Sequence, residues 1–130
     1  MTSFTCLLVD DDVDDQEIFC TVIDGIAPSW KCVTAINGQS ALAMIQSGEV
    51  TPDIIFLDVN MPLMNGRQFL QEANQLKLID DVPVIVLTTS ADQRTKNAVI
   101  DLGASQFITK PDRFSEWETV LKQALDISFS

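Results

Sequence analysis

Three short apolar runs, Cys6-Leu7-Leu8-Val9, Ile54-Ile55-Phe56-Leu57 and Val84-Ile85-Val86-Leu87, each stop abruptly at a polar residue. Four such residues in succession leave no polar face, so these strands must be buried on both sides. That is the condition of a strand inside a parallel sheet covered by helices. The third run ends in Thr88, the first in Asp10-Asp11-Asp12, and the middle one in Asp58. Asn60 and Pro62 then break any continuation of the middle strand, because proline has no N–H to give a ladder.

Between the runs the apolar spacing changes to that of helices. Ile18, Phe19, Val22, Ile23 and Ile26 mark a first helix that stops at Pro28, and Ala41, Leu42, Met44 and Ile45 mark a second, entered at Asn37-Gly38 and closed by Gly48. Phe69, Leu70, Ala73 and Leu76 follow the Met64-Asn65-Gly66 turn, and Ala98, Val99, Ile100 and Leu102 precede Gly103. A last helix is predicted to open on the capping-box pattern Ser115-Glu116-Trp117-Glu118. Trp30 to Ile36 and Gln106 to Thr109 supply two further strands, with Phe4 beginning the first. Five strands alternating with five helices predict an α/β fold, a doubly wound five-stranded parallel sheet with right-handed crossovers. A single domain over residues 1–130, with no output domain, is the expectation for the 130-residue chain.

In such a sheet every strand ends on the same edge, where ligands bind. Asp10, Asp11, Asp58, Thr88 and Lys110 therefore converge from four strands. Each has a bland reading taken singly: an acid after a strand caps the next helix, a threonine bonds to nearby backbone, a lysine is solvated. Together they suit one chemistry. Neighbouring carboxylates repel, and a divalent cation relieves them; an all-oxygen ligand set points to Mg2+, with Mn2+ as an alternative. Asp58 can then act as a nucleophile toward a phosphoryl group, with Lys110 as counter-charge and the Thr88 hydroxyl as donor. Asp12, Asp14 and Asp15 read as capping and dipole residues of the first helix. A calcium loop over Asp10, Asp12 and Asp14 fails, since Asp15 stands where glycine is needed and Thr21 where glutamate is.

The rest of the composition narrows the classes. A net charge of −11 disfavours nucleic acid and anionic membrane as partners, and no apolar stretch approaches the roughly 20 residues that span a bilayer. Cys6, Cys20 and Cys32 lack metal-ligand spacing in a chain without histidine, so reduced core thiols in a cytoplasmic protein are expected. Neither a P-loop nor a G-x-G-x-x-G motif is present.

These motifs resemble the receiver domain of two-component response regulators, of the chemotaxis-regulator type and stand-alone kind. The likeness rests on Leu7-Leu8-Val9-Asp10-Asp11, on Leu57-Asp58-Val59-Asn60-Met61-Pro62 with Asn65-Gly66, on Thr88, on Gly103-Ala104 and on Lys110-Pro111. It implies the flavodoxin-like topology of such receivers and phosphorylation of Asp58 by a sensor histidine kinase or a histidine phosphotransfer protein. It also implies a magnesium site of Asp10, Asp11, Asp58 and the Asn60 backbone carbonyl, with Lys110 on the phosphoryl group before a cis bond to Pro111. Pro62, Gly66 and Pro111 are then structural residues near the site.

Two departures stand out. Thr88-Thr89-Ser90 precedes Ala91 where the family's switch hydroxyl is usually followed directly by alanine, so Ser90 is the second choice for that role. This variant looks like a subgroup of regulators, some of them paired with phytochrome-type kinases. Phe107 stands where the family often has a tyrosine that swings inward on activation. A downstream protein would read the surface of the last two helices, and a phosphorylation-dependent homodimer is open to such a domain. The rival readings are an aspartate-nucleophile phosphatase, which would want a second aspartate where Asn60 stands, and an interaction domain independent of phosphorylation.

Overall fold

The computed structural model describes residues 4–59, 65–89 and 93–129. The elements run in strict alternation. β1 (Phe4–Val9), α1 (Val13–Ile26), β2 (Trp30–Ala35), α2 (Gly38–Gln46) and β3 (Ile54–Leu57) come first. α3 (Gly66–Gln75), β4 (Val84–Thr88), α4 (Gln93–Asp101), β5 (Gln106–Thr109) and α5 (Phe114–Phe129) follow. The strands form one parallel sheet, as the alternation predicts, in the order β2-β1-β3-β4-β5, the flavodoxin-like topology that the resemblance implies. Chain order reverses between β1 and β3, which is the switch point where a crevice opens above the strands.

Because successive strand residues point to opposite faces, each strand feeds two cores. Leu7, Val9, Ile55, Leu57 and Val86 face α2, α3 and α4, where Phe69, Leu70 and Val99 meet them. Cys6, Leu8, Phe56, Ile85 and Leu87 face α1 and α5, meeting Phe19, Ile23, Trp117 and Leu121. Phe19 and Phe56 touch edge to face with centroids 4.8 Å apart. Each such side chain contributes about 1.5–3 kcal/mol on leaving water, and this double core makes the sheet a rigid platform for its polar edge.

Helix starts are held by side chains. Asp12 accepts from the Asp14 and Asp15 amides at 3.0 and 3.2 Å, as the acidic helix entry predicts. Asn37 accepts from Ser40 N–H at 2.7 Å. Asn65 and Gln68 exchange reciprocal bonds at 3.0 Å, a capping box not foreseen from the sequence. Gly48, at φ +79°, follows the C-terminal turn of α2 in the left-handed region glycine favours.

The structure corrects several expectations. α5 starts at Phe114, not after Ser115, because the Arg113 carbonyl already accepts from Glu116 and Trp117 N–H at 3.1 and 3.3 Å. β2 stops at Ala35, leaving Ile36 exposed. Cys20 and Cys32 are joined in a disulfide rather than standing as reduced thiols. Packing of α1 on β2 brings their Cα atoms to 5.7 Å, a neighbourhood that no sequence spacing announces. Cys6 is free and buried, and burial pushes its thiol far above the usual range. No cis peptide occurs among the described residues, so Lys110–Pro111 is trans, the ordinary preference even before proline. Among the described residues, no helix is long and apolar enough to cross a membrane.

Candidate functional site

The register of the sheet decides what meets at its carboxyl edge. Val9 pairs with Leu57, so Asp10 and Asp58 leave adjacent strands side by side. Three of the converging residues are each pinned by one further ladder bond. Asp10 N–H donates to Ala35 C=O at 3.0 Å, Asp58 N–H to Val9 C=O at 2.9 Å, and Lys110 N–H to Thr88 C=O at 2.8 Å. Asp10, Asp58 and Lys110 are thus extensions of the sheet.

The start of α3 closes in from one side. Gly66 N–H donates to Val59 C=O at 3.2 Å. A Cβ on Gly66 would come within 2.7 Å of Val59 Cα and 2.9 Å of the Asp58 carbonyl oxygen. Only glycine permits this approach.

Lys110 lies at the centre. Its ammonium donates to Asp10 Oδ2 at 2.7 Å, Asp15 Oδ2 at 2.8 Å and Asp58 Oδ2 at 3.2 Å. The Lys110 side chain is 6% exposed; the Asp10 and Asp58 residues are 1% and 6% exposed. Burial pushes Asp10 up to about 6, against the lowering effects of Lys110 and of the Asp12 N–H that Asp10 Oδ1 accepts at 2.9 Å. Burial alone would lower Lys110, but its bonds to Asp10 and Asp15 and the attraction of Asp10 and Asp58 outweigh it, raising it above the ordinary lysine range. The lysine is a permanent cation.

Asp10, Asp11 and Asp58 each offer a carboxylate oxygen, all within 4.8 Å of one another. Asp11 is exposed while the other two are buried, so the cluster opens to solvent on one side. The donor set fits a hard divalent cation that keeps several waters: oxygen only, one open side, and an acid whose charge burial penalises.

Thr88 is fully buried at the end of β4, paired with Thr109. Phe107 is half-buried opposite Val86 and packs in the α2–α4 core. Trp117 lies in the core on the other face of the sheet. Asn60, Pro62 and Ser90 lie outside the described residues. Sequence reasoning missed Asp15, which it assigned to the helix dipole. The available signal was position: Asp15 is the third residue of a helix that begins at the site, and helical side chains lean back toward the N-terminus. Gln16 was missed too; its amide donates to the Asp10 carbonyl at 2.6 Å.

Comparison with known proteins places this arrangement. Residues 6–122 match the response regulator receiver domain family. A protein-glutamate methylesterase/protein-glutamine glutaminase of Treponema pallidum (strain Nichols) is 40% identical over 107 residues, covering 81% of this chain and 26% of its own length. The phosphorylated cyanobacterial phytochrome response regulator RcpA superposes with a TM-score of 0.90 at 25% identity, covering 99% of this chain and 96% of that one. The Mn2+-bound form of response regulator Rcp1 superposes at 0.84 with 26% identity, covering 95% of each. The chain spans about a quarter to a half of the length of the first curated relatives it matches. With the reversal of strand order, the acids beside it and these matches in agreement, the chain belongs to the response regulator receiver domain family of two-component systems.

Proposed function

We propose that this chain is a phosphoacceptor switch: Asp58 takes a phosphoryl group from the phosphohistidine of a sensor histidine kinase or a histidine phosphotransfer protein. The observation that carries the reading is the position of Asp58, buried, within 4.8 Å of the oxygens of two other acids and 3.2 Å from a lysine ammonium. An Asp58 oxygen attacks phosphorus, the phosphorus–nitrogen bond breaks, the imidazole leaves, and an acyl phosphate remains on Asp58. Lys110 faces the transferred oxygens as a fixed positive charge, so little reorganisation is needed as charge shifts.

Asp10, Asp11 and Asp58 would hold Mg2+ or Mn2+, with Asn60 offering its backbone carbonyl. The bound ion supplies neutralisation of the phosphoryl charge. The Mn2+ named for Rcp1 supports this class of ion. Thr88 is the switch hydroxyl in this reading. The bond from Lys110 N–H to Thr88 C=O ties it to the end of β5, so displacement of one is felt by the other. A protein partner would read the change on the surface around α4, β5 and α5, or a second copy of the chain would. The setting is the cytoplasm, where the kinases act.

Incubation with Mg2+ and acetyl phosphate should add one hydroxylamine-labile phosphoryl group, observed by intact mass. Asp58→Asn should add none. Equal labelling of Asp58→Asn and parent would sink the assignment, and sustained release of phosphate from external esters would favour a phosphatase instead.

A further inference from the structure

A lysine ammonium has three donors, and Lys110 places all of them on carboxylates: Asp10, Asp15 and Asp58, at 2.7, 2.8 and 3.2 Å. The three partners are not equivalent. Asp10 and Asp58 belong to the cluster whose oxygens converge with Asp11, whereas Asp15 does not. Asp15 is carried on the first turn of α1, with its backbone amide held by Asp12 Oδ1 at 3.2 Å and its side chain 24% exposed.

The next step rests on the function proposed above. A cation bound by the cluster draws on Asp10, and phosphorylation converts the Asp58 carboxylate, so each event competes with Lys110 for a partner. Asp15 alone is left with no second claim on it. A flexible four-carbon stem held by one fixed anion keeps its charge in place; released, it has many rotamers to search. We propose that Asp15 is a positioning residue, dedicated to holding the buried Lys110 ammonium in the site while Asp10 and Asp58 are engaged elsewhere. It touches neither the ion nor the phosphoryl group and acts through Lys110.

The competing role for Asp15 is stabilisation of the α1 dipole. Asp14 occupies the same turn, is exposed, and makes that contribution without any bond to Lys110 in the structure, so Asp14→Asn is the control. Asp15→Asn keeps the side-chain shape and removes the charge. At saturating Mg2+, with acetyl phosphate as donor, Asp15→Asn should slow phosphorylation about 10-fold, a loss typical of a slightly misplaced group. Asp15→Glu should recover most of that rate, and Asp14→Asn should keep the parent's. Mg2+ affinity, measured by calorimetry, should stay within about two-fold of the parent, since Asp15 lies outside the cation cluster. In a Lys110→Ala background, Asp15→Asn should cost nothing further.

A second readout needs no phosphorylation: the Lys110 ammonium should give a slowly exchanging 15N signal in the parent that Asp15→Asn weakens. The proposal is overturned if Asp15→Asn phosphorylates at the parent rate, if its loss persists without Lys110, or if Mg2+ affinity falls in step with rate. A parent that takes no phosphoryl group at all would instead overturn the assignment of Asp58. The ammonium signal then still decides whether Asp15 holds Lys110.

Discussion

At the amino edge of the sheet, Asp53 accepts the Thr5 N–H at 2.7 Å, and Asp80 and Asp81 lie exposed beside an open groove of about 480 Å3. At the carboxyl edge, Asp10, Asp15 and Asp58 surround one buried ammonium, with Asp11 at the rim. Both edges collect acids from neighbouring strands of one sheet. At the first, each acid is settled by water or by a backbone amide; at the second, buried acids must settle with one another and with a lysine. An acid near a strand end is therefore not informative by itself. Mutual proximity under burial separates the carboxyl edge from a merely capped one, because low-dielectric surroundings leave charge repulsion unscreened.

The sharpest way to break this contrast is Lys110→Met. Removing the ammonium leaves buried carboxylates uncompensated, and urea unfolding in chelator should show a loss of about 3 kcal/mol, partly recovered by Mg2+. A loss below about 1 kcal/mol, the range of exposed pairs, would mean that the carboxyl edge is as well solvated as the amino edge.

The second test is pH. Asp10 has its carboxyl at about 6 in the folded chain against an ordinary 3.8, so the folded state holds the extra proton between those values. Stability in chelator should accordingly fall as pH rises from about 4 to 6 and then level off, by about 2–3 kcal/mol at 1.36 kcal/mol per pH unit. Asp10→Asn should flatten that fall. Protons compete with the ion for the same oxygen, so Mg2+ affinity should weaken as pH drops below 6. A parent and an Asp10→Asn variant with identical pH profiles would remove the electrostatic distinction between the edges.

Gly66→Ala comes third, because a methyl group would press on Val59 Cα and the Asp58 carbonyl. Overpacking of this kind costs about 2 kcal/mol, and phosphorylation should slow as well. The smallest effect belongs to the amino edge. Asp53→Ala deletes one bond to the Thr5 amide and should cost about 1 kcal/mol without changing Mg2+ affinity in calorimetry. A change there would show that the edges are coupled through the sheet.

Much of this was legible in the chain. The strands Phe4–Val9, Ile54–Leu57 and Gln106–Thr109 begin and end where uninterrupted or alternating apolar residues predict, because burial on two faces allows few alternatives. Asp10, Asp11, Asp58, Thr88 and Lys110 could be assembled from strand ends alone, since parallel strands all finish on one edge. Other features could not be read this way. The start of α5 escaped because Ser115 offers a good cap while the Arg113 carbonyl closes the turn first. The Cys20–Cys32 bond escaped because helix-on-strand packing brings together residues whose spacing carries no signature.

By itself the sequence determined the alternation of elements and the polar stop at each strand end, because hydrophobic periodicity and chain direction are local properties. Tertiary structure alone decided that Lys110 divides itself among three acids, that Asp15 is one of them, and that Gly66 must lack a side chain. Those depend on distances of a few ångströms between segments far apart in the chain, set by sheet register and helix packing rather than by any local pattern.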